Sequence, residues 1–462
     1  MEKSINIKKN DIFEVEITDQ SSSGDGICRI DGFTVFVPRT AIGDLARIRI
    51  VKVNKTYGFG RLEQILKASD VRVAPVCEAF DKCGGCDFMH INYETQLKLK
   101  RQQVLDALER LGGFKGVSVS ETRGMEHPYA YRNKTQMPVG KDKDGRTVCG
   151  FYRRHSHDLV ETEHCCICSE AAMAAAECVK EYMRIAKVKP YDEKTHTGIV
   201  RNVFVRTAKD GSVMVVVVAN ALFLPQPELL VSLLCEGVEG IVSIQHNIHT
   251  DKTNLVLGKN NDVLWGSETL CDTIGDLVFE ISPHSFFQVN PVQTQVLYET
   301  AVDMANIQKT DTVFDLYCGI GTISLFAAKR AGKVIGVEIV EDAVKDAKKN
   351  AVRNGIENAA FYCGDVQKSI QYLYSQGERA DVVILDPPRK GSDEKTLDVI
   401  LNMHPERVVY VSCNPATLAR DLKYLCESGA YRIDAVVPVD MFPHTVHVET
   451  VALLTVTTTK FA

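Results

Sequence analysis

The sequence predicts an α/β protein in three parts: a small N-terminal OB-like β-barrel, a mixed α/β middle, and a C-terminal Rossmann-like sheet. Short alternating strands separated by glycine turns occupy residues 11 to about 66. A hairpin signal in the middle joins residues 202–207 to 212–219 through Ala208-Lys209-Asp210-Gly211. From residue 312 buried strands and helices alternate regularly, as in a parallel sheet. A chain of 462 residues exceeds one ordinary core, and its 45% hydrophobic and 25% charged content is that of a soluble protein. Residues 1–9 contain no apolar signal core, and the longest apolar run, Val213–Ala219, is too short to span a bilayer. A cytoplasmic protein with no membrane partner is therefore expected. In a reducing compartment, 15 cysteines point to metal binding or catalysis rather than disulfides. The net charge of −6 restricts any nucleic-acid surface to a local patch.

The first strands read Phe13-Glu14-Val15-Glu16-Ile17, Phe33-Thr34-Val35-Phe36-Val37 and Ala46-Arg47-Ile48-Arg49-Ile50. Between residues 39 and 61 six Lys/Arg (Arg39, Arg47, Arg49, Lys52, Lys55, Arg61) face a single acid, Asp44, with Tyr57 and Phe59 among them. A basic face with aromatics is how an OB-like barrel holds single-stranded nucleic acid.

Cys77, Cys83 and Cys86 follow, the last two as Cys83-Gly84-Gly85-Cys86, where the glycines allow the backbone to fold tightly around one centre. A closed zinc or iron–sulfur site needs a fourth thiolate, and Cys165, Cys166 and Cys168 are the candidates. An amphipathic helix is predicted over residues 93–111, with Leu97, Val104, Leu105, Leu108 and Leu111 inward and Lys98, Lys100, Arg101 and Arg110 on other faces. The basic clusters Tyr131-Arg132-Asn133-Lys134 and Tyr152-Arg153-Arg154-His155 are candidate phosphate contacts or solvated surface.

In the C-terminal part the first strand runs from Val313-Phe314-Asp315-Leu316 into the turn Tyr317-Cys318-Gly319-Ile320-Gly321-Thr322, with a helix expected over 323–331. The next strand ends on Glu338, spaced to bind ribose hydroxyls. A dinucleotide site would place glycine at 324; Ser324 stands there, and with the leading Asp315 this favours S-adenosyl-L-methionine over a nicotinamide cofactor. Asp365 closes the third strand, either accepting from an adenine amino group or serving as a turn residue. Asp386-Pro387-Pro388-Arg389 closes the fourth as a stiff loop presenting Asp386 and Arg389. The fifth, Val408-Val409-Tyr410-Val411-Ser412-Cys413, stops at Asn414-Pro415 before a helix expected over 417–425. Its thiol thus lies at the carboxyl end of a parallel strand, where α/β sheets form their ligand crevice. Glu449 then enters an apolar strand, as an exposed strand end or as a base in a partly dry site, with His444 and His447 as rival bases.

One thiol, one methyl donor and one carboxylate suffice to methylate uracil at C5. A thiolate adding at C6 turns the ring into an enolate able to attack an electrophilic methyl, and a base then removes the C5 proton. A free thiol has a pKa of about 8.5, so Cys413 needs activation. A target base in folded RNA must also be flipped from its stack, at a cost of a few kcal/mol.

Over essentially its whole length the chain resembles the RumA/TrmA family of RNA uracil-5 methyltransferases, in its RumA-like branch with an N-terminal TRAM barrel and an iron–sulfur cluster. The resemblance rests on Cys83-Gly84-Gly85-Cys86, Phe286-Phe287-Gln288-Val289-Asn290, residues 315–321, Asp386-Pro387-Pro388-Arg389, residues 412–421 and residues 441–449. It implies a class I methyltransferase domain, with Cys413 as nucleophile and Glu449 as base. Gln288, Tyr317, Glu338 and Asp386 would bind S-adenosyl-L-methionine, and Cys77, Cys83, Cys86 and Cys165 would hold a [4Fe-4S] cluster. Domain limits follow: a TRAM barrel at 1–68, a cluster-bearing central part at 69–92 and 125–283, and a methyltransferase part at 93–124 and 284–462. The implied substrate is a uridine in 23S rRNA, so that the reaction belongs to rRNA processing; the T-loop uridine of tRNA is the alternative. No obligate protein partner is implied, and a monomer is expected. An Fe–S radical or methylthio-transfer enzyme would want C-x3-C-x2-C spacing, which is missing; a non-enzymatic RNA-binding protein is the remaining alternative.

Overall fold

The computed structural model describes residues 7–457, and the domain limits expected at residues 1 and 462 lie outside them. Alternation between apolar and polar residues builds the first sheet of six strands. In spatial order these are Ile12–Glu16, Leu45–Val53, Tyr57–Lys67, Phe33–Val37, Gly26–Ile30 and Asp19–Gln20. Its two outer strands are consecutive in the chain. Between them Ile17 N–H donates to Asp44 O (2.9 Å) and Thr18 N–H to Ile27 O (2.8 Å), so the sheet curls until its ends meet. Ile17, Val35, Val37, Ile48 and Ile50 fill its interior.

The middle sheet has seven strands, in the order Asn260–Gly266, Ile241–Ile248, Val213–Ala219, Val200–Thr207, Lys134–Lys141, Thr147–Tyr152 and Leu159–Glu161. The expected hairpin is present: Val200–Thr207 pairs antiparallel with Val213–Ala219. Every residue of Val213–Ala219 is buried. One face lies under the alanine-rich helix Glu170–Ile185, the other against Phe204 and Leu270.

The C-terminal sheet also has seven strands: Ala359–Cys363, Lys333–Glu338, Thr312–Leu316, Val382–Leu385, Arg407–Ser412, Glu449–Val456 and Tyr431–Val439. The first five are parallel, and Glu449–Val456 runs antiparallel to both of its neighbours. Strand order reverses between Thr312–Leu316 and Val382–Leu385, which opens a crevice at their carboxyl ends. An antiparallel strand begins where its parallel neighbours end. Glu449, first in its strand, therefore shares a rim with Cys413, which follows the last residue of Arg407–Ser412.

Four expectations shift. The helix after Cys413 is Pro415–Glu427 rather than 417–425: the proline, lacking an N–H, occupies the first helical turn, and Asn414 Oδ1 caps it by accepting from Ala416 N–H (3.0 Å). The helix after the glycine turn is shorter than expected, Thr322–Ala328. Hairpin Leu270–Ile274/Leu277–Ile281, expected in the central part, buries Ile274, Leu277, Phe279 and Ile281 in one cluster with Leu297 and Ile323, against the C-terminal sheet. Helix Tyr93–Arg110 packs Val104 and Leu108 against Leu418 and Leu422, but its buried stripe includes Lys100, expected on a polar face, and leaves Leu111 57% exposed.

Candidate active site

The turn after Thr312–Leu316 bends through left-handed backbone at Tyr317 (φ 67°), Gly319 (φ 54°) and Gly321 (φ 83°). A Cβ at Gly321 would also come within 3.0 Å of the Phe361 ring, so glycine is required there on two counts. Gly319 N–H donates to Glu338 Oε2 (3.2 Å) and Val340 N–H to Glu338 Oε1 (2.9 Å), which fixes that carboxylate at the rim. The Tyr317 hydroxyl lies 3.3 Å from Ser392 Oγ and 3.4 Å from Thr396 Oγ1. Asp365 caps helix Val366–Ser375 by accepting from Lys368 N–H (3.2 Å), a turn role that leaves it at the edge of the cleft. Gln288 is held through its backbone: Asn133 Nδ2 donates to Gln288 O (3.0 Å) and Asn133 N–H to Val289 O (2.8 Å).

These groups line one cleft of about 720 Å³ together with Asp315, Asp386, Arg389, Cys413, Phe442, His447 and Glu449. The sequence-derived cofactor residues Gln288, Tyr317, Glu338, Asp365 and Asp386 and the pair Cys413 and Glu449 are thus brought to one place. Ladder register explains the last two: Ser412 pairs with Thr450, which sets Cys413 opposite Glu449.

Electrostatically the cleft is crowded with carboxylates. Asp315 is fully buried; Ser324 Oγ donates to its Oδ2 (2.5 Å), its Oδ1 has no partner, and burial pushes it up to about 7. Ser324, which departs from the dinucleotide pattern, is the residue that holds Asp315. Burial also pushes Asp386 up to about 7, although it keeps some solvent contact at the mouth. Glu449 is pushed well up, first by burial and then by Asp386, with Arg389 opposing. Burial and the carboxylates of Glu449 and Asp386 push the Cys413 thiol up to about 11, again against Arg389. Two buried acids, a third at the mouth and an oxygen with no partner among the described residues fit a cationic ligand such as the sulfonium of S-adenosyl-L-methionine, whose charge would favour the ionised carboxylates.

The two histidines separate. His447 lines the cleft. His444 does not: its ring stacks on Tyr129 (4.7 Å between centroids, 24°), and its Nδ1 lies 3.2 Å from Gln96 Nε2. Phe442 and Phe286, quoted in the sequence only as parts of longer stretches and given no role there, also line the cleft, Phe286 with 66% of its surface exposed. The adjacent Phe287 is buried. An aromatic pair split between core and solvent has no pattern a hydropathy reading can detect.

A second cavity, of about 240 Å³, is lined by Cys77, Cys83, Cys86, Cys165, Cys166 and Cys168. Gly85 N–H donates to Cys83 Sγ (3.3 Å). A hydrogen bond from Cys168 draws Cys165 down to about 6. Among the described residues no three His, Cys, Asp or Glu side chains converge to hold a single metal ion. Of the basic residues nearby, Arg154 pairs with Asp25 (3.3 Å) and Asp87 (3.6 Å), and Arg39 stacks on Phe80 while donating to the carbonyls of Phe80, Cys83 and Cys86.

Residues 250–457 match the tRNA (Uracil-5-)-methyltransferase family model, and residues 8–62 match the TRAM domain. The chain is 46% identical to an uncharacterized RNA methyltransferase of Halalkalibacterium halodurans, over 97% of this chain and 98% of that one. The chain belongs to the RNA (uracil-5-)-methyltransferase family. A second uncharacterized RNA methyltransferase, from Clostridium tetani, is 47% identical over 98% of each chain. Among solved structures, the enzyme is similar to the Pyrococcus abyssi tRNA (uracil-54, C5)-methyltransferase in complex with S-adenosyl-L-homocysteine, with 28% identity, a TM-score of 0.74, and 96% of this chain and 100% of that chain covered. S-adenosyl-L-methionine is its methyl donor and RNA its substrate. No helix among the described residues is long and apolar enough to cross a membrane.

Proposed function

We propose that the enzyme methylates C5 of a uridine in 23S rRNA through a covalent bond between Cys413 Sγ and C6 of the base. The observation that carries this reading is the Ser412–Thr450 register, which sets the thiol beside Glu449 at the rim of the acid-lined cleft. The bound methyl donor supplies an electrophilic carbon. Cys413 adds at C6 as the thiolate, and the displaced electron pair makes C5 nucleophilic. C5 takes the methyl group as the donor's S–CH3 bond breaks and the donor leaves as a neutral thioether; Glu449 then removes the C5 proton, the C5–C6 double bond re-forms and the C6–S bond breaks, returning the thiolate. Gln288, Tyr317, Glu338, Asp365 and Asp386 hold the donor, and Arg389 opposes the acids that keep Cys413 protonated. Cys77, Cys83, Cys86 and Cys165 hold a [4Fe-4S] cluster. The thiols that ring this cavity are the all-sulfur donor set such a cluster takes.

The second reading, a T-loop uridine in tRNA, is favoured by the likeness to the Pyrococcus abyssi tRNA enzyme. Incubation with methyl-labelled donor and unmodified 23S rRNA fragments or tRNA, followed by mass spectrometry, separates the two. 5-Methyluridine in rRNA supports the first, and label in tRNA alone establishes the second. Cys413→Ala abolishes transfer to either. Glu449→Gln transfers methyl but leaves RNA covalently attached on a denaturing gel; free methylated product from this variant would assign the proton to His447.

A further inference from the structure

The segment 440–447 has no regular structure, yet it carries Phe442 and His447 into the cleft and leads directly to Glu449. Its carbonyls are satisfied from distant parts of the chain. Asn290 Nδ2 donates to Met441 O (3.1 Å), Lys100 Nζ to Phe442 O (2.9 Å), Tyr131 Oη to Pro443 O (3.1 Å), and the N–H groups of Asp87 and Phe88 to His444 O (2.8 and 2.9 Å). At its head stands Asp440, next to Val439, which pairs directly with Glu449.

Asp440 and Lys100 are both fully buried, and Lys100 Nζ donates to Asp440 Oδ1. Tyr93 Oη donates to Asp440 Oδ2 (2.8 Å) and accepts from Met125 N–H (2.9 Å); Gln293 Nε2 donates to Asp440 O (3.0 Å). A buried ion pair is a poor source of stability, because desolvating two charges offsets their attraction, but it enforces one geometry. Here the cation comes from helix Tyr93–Arg110 and spans 340 residues to reach its acid.

We propose that Lys100, with Asp440 and Tyr93, is a positioning device that sets Glu449 and Phe442 against the base held by Cys413, and that it acts on release of the methylated product. This rests on the reading above that Glu449 removes the C5 proton. Lys100 is fully buried and does not line the cleft: it fixes Asp440 and the Phe442 carbonyl, and through the Val439–Glu449 pair the depth at which the carboxylate enters the cleft.

The test compares wild type, Glu449→Gln, the double variant Lys100→Met/Asp440→Asn, which leaves no unpaired charge, and Tyr93→Phe, which removes the hydrogen bonds to Asp440 and from Met125 N–H. Folding is followed by circular dichroism and steady-state kinetics are measured on the RNA substrate. For the double variant kcat is expected to fall about ten- to a hundredfold, the scale of a misplacement near 1 Å, with KM for RNA within about twofold. Covalent protein–RNA adduct should accumulate as in Glu449→Gln, and Tyr93→Phe should show the same signature more weakly. Unchanged kcat, or a fall in kcat without adduct, overturns the proposal; if the double variant does not fold, Tyr93→Phe decides on the same readouts. If Glu449→Gln itself traps no adduct, the role given to Glu449 has failed rather than that of Lys100.

Discussion

Asp315 is a buried carboxylate that is costly to ionise in the folded state. Its ordinary pKa of 3.8 is raised to about 7, chiefly by burial. The folded form therefore binds a proton more tightly than the unfolded chain, so the cost of ionising it is absent below about pH 4, grows between 4 and 7, and is complete above 7. Asp315→Asn, which keeps an acceptor for Ser324, should raise the melting temperature at pH 8 by the equivalent of about 2–4 kcal/mol and leave it unchanged near pH 4. The same change should weaken donor binding, measurable by calorimetry at pH 8. A protein whose stability at pH 8 fell instead would show that Asp315 is held ionised by something other than ligand. Cys413 follows the same logic with a thiol: burial and then the neighbouring acids push it up, so its reactivity toward a thiol reagent should increase when the cationic donor is bound.

On the outer face of the first sheet, strand alternation puts Tyr57, Phe59 and Arg61 on one side, and register places Phe36 opposite Phe59. The three rings lie 5.6–5.8 Å apart. Of the basic residues noted in the sequence, Arg39 is committed to the Phe80–Cys86 carbonyls, Arg47 to Glu14 and Arg49 to Glu63, while Lys52 and Lys55 have no ion pair among the described residues. The rings have the geometry of a stacking platform for unpaired bases. Tyr57→Leu and Phe59→Leu should each weaken RNA binding about five- to fiftyfold without altering its salt dependence, whereas Lys52→Gln should lower the salt slope by about 1 in a filter-binding titration. Period-two alternation made these strands legible, and the proline-stopped strand at Cys413 was legible because its buried run and its breaker are both local. The partners of the arginines were not, since those of Arg47 and Arg49 are set by strand register and those of Arg39 by a loop far along the chain. Lys100 is the sharpest case: a lysine in an amphipathic helix reads as solvated surface, and only the fold reveals an acid 340 residues away.

For the whole molecule, one arrangement links both cavities: Asp87 and Phe88, directly after Cys86, hold the His444 carbonyl in the loop that leads to Glu449. If the thiols hold a cluster, anaerobically purified protein should be brown and contain about four iron atoms per chain. Cys77→Ser, Cys83→Ser, Cys86→Ser and Cys165→Ser should bleach it, while Cys166→Ser should not; retention of colour in Cys165→Ser with loss in Cys168→Ser would reassign the fourth ligand. The three-part layout could be read from where periodicity changes along the chain. The seating of hairpin Leu270–Ile274/Leu277–Ile281 could not, because its apolar face suits either neighbouring core until both are assembled.

The reversed strand Glu449–Val456 is wedged between Arg407–Ser412 and Tyr431–Val439. Were it to fray, both flanking strands would gain raw, sticky edges at the moment Glu449 left the cleft. Heat inactivation and clumping should consequently begin together, with no interval in which a soluble but inert enzyme accumulates.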